Sequence, residues 1–155
     1  MIWEELNPAL IVTGLKAETS ADVFREMGGR VTAEGYAKES YVQALNEREA
    51  EFPTGLDIDG IGVAIPHTSV EHVNKTTVSI GVLDHPVTFI EMGSDDDPVE
   101  VRLVFMLAVA DPKKHMDELQ RVLAIIQDKA VLEKLIACTD KQTIIDTIRE
   151  KEDTL

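Results

Sequence analysis

A chain of 155 residues with 44% hydrophobic and 28% charged side chains has the makeup of one ordinary globular domain, not of a disordered segment. At this length folding takes roughly 70% of the unfolded chain's surface out of water, enough for a real core without staples. A formal net charge of -14 sets most of the surface against a nucleic-acid backbone and suits either solubility or the steering of a basic protein partner.

The first residues, MIWEELNPAL, are acidic where a leader peptide needs basic groups. ALIVTGL (Ala9–Leu15) reads as a buried strand closed by Gly14. ETSADVFREMGGRV predicts a helix with Thr19 or Ser20 as its N-cap, ended or loosened at Gly28 and Gly29. KESYVQALNEREAEF predicts a second helix, with Tyr41, Val42 and Leu45 on one face and Pro53 as its stop. GVAIPH, TTVSIGVLD and VRLVFMLAV are β-branched, apolar strands, and His85-Pro86 reads as a turn between Asp84 and the next strand, VTFI. DPKKHMDELQRVLAIIQD predicts a helix capped by Asp111, with Pro112 at its first position and a stripe of Leu119, Val122, Leu123 and Ile126. Two short helices, KAVLEKLIACTD and KQTIIDTIREKE, follow. The expected fold is α/β: one domain over residues 1–155, a mixed central β-sheet flanked by helices on both faces.

No run approaches the roughly 20 apolar residues of a membrane span. The lone Cys138 cannot close an internal disulfide and sits in a helical apolar pattern, as a core residue would. These features predict a cytoplasmic protein with no direct membrane insertion.

GVAIPHT (Gly62–Thr68) poses a sharper question, because a histidine follows a proline at the mouth of a strand. Proline ends or frays the ladder and biases Ile65 toward extended geometry. His67 therefore falls where layered α/β sheets place their ligands. A loop histidine is the bland reading. The chemical one is a neutral nucleophile near pH 7 that holds a phosphoryl group on nitrogen and hands it onward. Such a site needs positioning and donors for the phosphoryl oxygens. Arg48, near the end of a helix, offers a two-oxygen fork, or else a plain ion pair. Thr54 and Gly55 offer a hydroxyl and a close backbone N–H, or else a turn. His115 lies in the first turn of a helix, where the dipole favours an anion.

In order, Arg48-Glu49, Thr54-Gly55 and Ile65-Pro66-His67 within NEREAEFPTGLDIDGIGVAIPHT resemble the active-site region of the fructose/mannitol-type IIA domains of the bacterial phosphotransferase system. EREAEFPTGL is most like the galactitol-specific members. The resemblance runs from about Val23 to Ile148 and includes VRLVFMLAV and HMDELQRVLAII. It implies a phosphotransferase component that takes a phosphoryl group from phospho-HPr on Nε2 of His67. The group then passes to a cysteine of a IIB component, for uptake of a galactitol-like sugar or sugar alcohol. Arg48 matches the arginine that supports the phosphoryl group, and His115 the second histidine of the mannitol and fructose members, so the chain mixes features. Thr54 is a weaker candidate. The proton on the other ring nitrogen of His67 needs an acceptor, which the sequence does not name. The acidic surface would meet HPr's basic, partly apolar face, through an apolar patch around His67 with acidic residues outside it. The resemblance implies no organic cofactor and no metal. It sets no oligomeric state, and a monomer is plausible.

A regulatory IIA-like protein of the nitrogen type would use the same histidine to control a partner instead. Metal binding by His67, His72 and His85 with Asp84 and Asp95–Asp97 is a weak rival, because the spacing fits neither a helical zinc pair nor a calcium loop. A hydrolase is weaker still, with no paired serine or cysteine nucleophile evident.

Overall fold

Five strands form one sheet in the computed structural model, which describes residues 1–155. They are β1 (Ile11–Leu15), β2 (Gly55–Ile58), β3 (Ile61–Ala64), β4 (Thr77–Ile90) and β5 (Pro98–Ala108), in the spatial order β1-β4-β5-β3-β2. β1 is parallel to β4 and β3 to β5, whereas the β4–β5 and β2–β3 pairs are antiparallel, so the sheet is mixed as expected.

Successive strand residues face opposite sides, and β5 shows what that does to the core. Leu103, Phe105 and Leu107 enter one apolar cluster, and Val104, Met106 and Ala108 enter the other. The first cluster is closed by α1 (Ile2–Glu5), α5 (Pro112–Ile126), α6 (Lys129–Ala137) and α7 (Lys141–Glu152). The second is closed by α2 (Ser20–Val23), α3 (Gly29–Ala33) and α4 (Tyr41–Glu51). Helices on both faces are thus required by strands that are apolar on both faces.

The helix starts follow local chemistry. Thr19 accepts the Asp22 N–H at 3.2 Å while the Asp22 carboxylate accepts the Thr19 N–H at 3.2 Å, a reciprocal cap. The Asp111 carboxylate accepts the Lys113 N–H at 2.9 Å, with Pro112 at the first helical position. Asp128 and Asp140 cap α6 and α7 the same way. The stripe on α5 buries Val122, Ile125 and Ile126, with Leu119 and Leu123 packed at its edge.

The structure revises the sequence reading at four places. Gly28 and Gly29 loosen the helix without ending it: the chain winds through a wider, π-helical turn at Phe24–Gly28 straight into α3. There the missing Cβ of Gly28 lets Leu45 and Val42 of α4 pack close. His85-Pro86 is not a turn between two strands. β4 is one strand, paired with β5 on both sides of a bulge between Val82 and Val87, and Pro86 sits in the bulge where no ladder N–H is needed. Thr54-Gly55 is not a free turn either. Gly55 opens β2, which returns through Asp59 (φ 51) and Gly60 (φ 94) into β3. The N-terminal residues, given no element from sequence, form α1. Its first N–H groups, on Ile2 and Trp3, are accepted at 3.0 and 2.7 Å by the buried carboxylate of Glu152 at the far end of the chain.

Gly62 holds β3 tightly against β5, and a Cβ there would overlap the Glu100 carbonyl oxygen. Backbone cannot swing aside as a flexible side chain can. Gly62→Ala is expected to lower stability by about 2–3 kcal/mol, seen as an earlier denaturation midpoint in urea.

Candidate functional site

Pro66 carries the chain off the end of β3 without losing its neighbour. Its carbonyl accepts the Leu107 N–H at 2.9 Å, and as a proline it leaves no donor unpaired. Tyr41, fully buried on α4, donates its hydroxyl to the Leu107 carbonyl at 2.8 Å and so ties α4 to the same corner. His67 follows, three residues past β3, and is partly buried.

The Nδ1 atom of His67 lies 2.8 Å from the Ile65 carbonyl oxygen. A carbonyl can only accept, so Nδ1 carries the proton and Nε2 keeps its lone pair. The acceptor that the sequence leaves unnamed is therefore two residues away on the same strand end. His115, placed by the capped start of α5, stands with its ring centroid 5.3 Å from that of His67 at an interplanar angle of 77°. Burial pushes the His67 imidazole below its ordinary range. The Ile65 carbonyl opposes this, while His115 and the Arg48 charge act with burial. His115 is pushed down too, by burial first and then by Arg48. Both rings thus favour the neutral form at pH 7, and Arg48 bears on both.

Arg48 sits in the last turn of α4 and enters none of the molecule's ion pairs. The plain ion-pair alternative thus has no partner. Its guanidinium carbon lies 4.3 Å from the centroid of the Phe52 ring.

Thr54 takes a different part from the one expected. It is only 2% exposed, and its hydroxyl donates to the Glu49 carboxylate at 2.8 and 2.9 Å, with its N–H donating at 2.9 Å. A hydroxyl so committed anchors the loop instead of reaching a ligand. Burial pushes the Glu49 carboxyl up, against the pull of the Thr54 hydrogen bonds. The Thr54 carbonyl in turn accepts the Ile65 N–H at 3.3 Å. A chain of contacts therefore runs from the helix that bears Arg48, through Glu49 and Thr54, to Ile65, the residue whose carbonyl orients His67. The sequence marks Glu49 only as one half of an Arg-Glu pair. Its role depends on a partner across a turn, for which no local signal exists.

The remaining histidines lie apart from this pair. His72 is engaged by the Ser40 hydroxyl at 2.8 Å and Glu71 at 3.4 Å, a surface pairing that the sequence does not suggest. His85, on the β4 bulge, faces Glu18 at 3.7 Å. No three His, Cys, Asp or Glu side chains converge as a metal site would require. Cys138 is buried, its thiol donating to the Lys134 carbonyl at 3.1 Å and pushed up by burial, as suits a core residue. Phe52, beside Arg48, and Met92 are exposed apolar residues that line one shallow depression with Glu51 and Asp95, and exposed Met116 follows His115 in the chain. No helix is long and apolar enough to cross a membrane.

A mixed sheet with helices on both faces thus carries an oriented imidazole at one strand end and a second imidazole beside it, as the resemblance to IIA domains implies. The model of the family described as "Phosphoenolpyruvate-dependent sugar phosphotransferase system, EIIA 2" matches residues 4–151, and the chain belongs to that family. It is 29% identical over 130 residues to the galactitol-specific EIIA component of the phosphotransferase system in Escherichia coli strain K12, covering 84% of this chain and 86% of that one. It is 25% identical over 148 residues to a nitrogen regulatory protein of Bradyrhizobium diazoefficiens, covering 95% and 94%. Among solved structures it resembles the complex of enzyme IIAMTL and phosphorylated enzyme IIBMTL from Escherichia coli. The TM-score there is 0.78 at 28% identity, covering 94% of this chain and 97% of that chain.

Proposed function

We propose that this domain is a phosphocarrier of a sugar phosphotransferase system, working in the cytoplasm. It takes a phosphoryl group from phospho-HPr onto Nε2 of His67 and passes it to a cysteine of a IIB component, for uptake of a galactitol-like sugar alcohol. The observation that supports this reading above all is the 2.8 Å contact between Nδ1 of His67 and the Ile65 carbonyl. In the first step the Nε2 lone pair forms the new N–P bond while the bond to the donor imidazole breaks. The proton stays on Nδ1, hydrogen-bonded to the Ile65 carbonyl, so the ring becomes a phosphoimidazolium, a good leaving group. In the second step a thiolate takes the phosphoryl group, and the ring returns to its starting tautomer with no proton to recover. Arg48 offers two N–H donors and His115 one to the phosphoryl oxygens. The galactitol-specific and mannitol relatives support the sugar role.

The nitrogen regulatory relative favours a second reading, in which the same phosphorylation controls a partner protein. The acceptor separates the two: a IIB cysteine drains the label in the first and leaves it in place in the second.

The test is uptake of label from phosphoenolpyruvate through Enzyme I and HPr, with acid-labile, base-stable label expected. Because burial depresses the His67 pKa below its ordinary range, the nucleophile is predominantly neutral at pH 7 and above. Single-turnover acceptance from excess phospho-HPr should therefore keep most of its pH 8 rate at pH 7 and decline as pH falls further, through the depressed His67 midpoint. Absence of label beside a IIA control that labels would count against the phosphocarrier reading. So would a rate already halved at pH 7.

A further inference from the structure

We propose that Phe52 is a positioning residue for the transfer: its ring holds the Arg48 guanidinium in place for the phosphoryl group on His67. The inference rests on the phosphocarrier reading above and adds to it the means by which the arginine is kept still.

Arg48 has reason to wander. It is exposed, it enters no ion pair, and its long side chain has many rotamers. Glu47 and Glu51 stand close by in sequence to draw it away. In a reaction that asks the protein mainly for placement and charge, a wandering guanidinium is a lost donor. It does rest on the Phe52 ring, with the guanidinium carbon 4.3 Å from the centroid, well within cation–π range.

The ring itself is set by the backbone. Phe52 leaves the helix at φ -130°, ψ 83°, and donates its N–H to the Arg48 carbonyl at 2.7 Å, so the two residues are joined by main chain as well as by side chain. Pro53 biases Phe52 toward this extended geometry, and the Glu49–Thr54 clip fixes the chain just beyond it. Burial does not explain the ring: Phe52 is 50% exposed and belongs to neither core cluster. A leucine would serve as well for apolar cover, but only a π face attracts a guanidinium.

The experiment compares Phe52→Ala, Phe52→Leu and Phe52→Tyr with wild type, all confirmed folded by circular dichroism. Phe52→Ala and Phe52→Leu should lower the limiting single-turnover rate at saturating phospho-HPr by about two- to fivefold, the weight of one exposed cation–π contact, and Phe52→Tyr should restore it. By NMR, the Arg48 side-chain NH resonances should lose their ring-current shift in the Ala and Leu variants. The His67 titration midpoint should rise in the same two, since a freed guanidinium depresses it less. A Leu variant that matches wild type in rate, midpoint and Arg48 shift overturns the proposal. An effect confined to the half-saturating HPr concentration does so too, because it would make Phe52 a docking residue. If wild type takes up no phosphoryl group, the phosphocarrier reading fails, and the NMR readouts still decide whether Phe52 holds Arg48.

Discussion

His67→Gln will remain folded and take up no label. The amide has about the size of the imidazole but no nucleophilic lone pair on nitrogen, so the N–P bond cannot form. The fold should hardly notice. The ring is partly buried, and its one hydrogen bond within the protein, from Nδ1 to Ile65, is worth about 0.5–1.5 kcal/mol against a total stability of roughly 5–15. The measurement pairs labelling through Enzyme I and HPr with thermal unfolding of the same sample. A midpoint within a few degrees of wild type, with label at background, assigns the chemistry to this side chain. Collapse of the fold would make His67 a structural histidine. Residual label would move the nucleophile elsewhere, and His115, 5.3 Å away between ring centroids, would be the next to substitute.

What the sequence could and could not say about this site has a physical division. His67 after Pro66, the Asp111–Pro112 start of the helix bearing His115, and the two-sided apolar pattern of β5 all lie in short local patterns, and all were readable. The Asp59-Gly60 hairpin is a short local pattern of the same kind. A turn is one of the two readings of Thr54-Gly55, whereas the turn forms at Asp59-Gly60. The parts that orient the chemistry were not readable. Ile65 enters through a carbonyl, which every residue has. Glu49 and Thr54 meet across a turn, and Glu152 reaches the first turn of α1 from the other end of the chain. At Gly28 and His85-Pro86 local propensity was overruled from outside, by α4 packing onto the glycine and by β5 pairing on either side of the bulge.

Arg48→Lys carries the second large effect, and it separates charge from geometry. A lysine keeps the positive charge, so the depression of the His67 and His115 midpoints should largely persist. It gives up the planar fork, and with it one of two parallel bonds to phosphoryl oxygens. At about 1.5–3 kcal/mol for a charge-assisted hydrogen bond, the single-turnover rate should fall by roughly ten- to a hundredfold. Arg48→Gln completes the comparison. It removes the charge, so both imidazole midpoints should rise by NMR titration, and the rate should fall at least as far as in the lysine variant. If Lys transfers at the wild-type rate while Gln does not, Arg48 acts as a point charge and the fork has no part in the step. If both transfer normally, the arginine lies outside the machinery, and the phosphoryl oxygens must be met by His115 and by backbone N–H groups near His67. The expected pattern, a slow lysine variant with undisturbed titrations, would show that the site depends on where the donors point and not only on how much charge they carry.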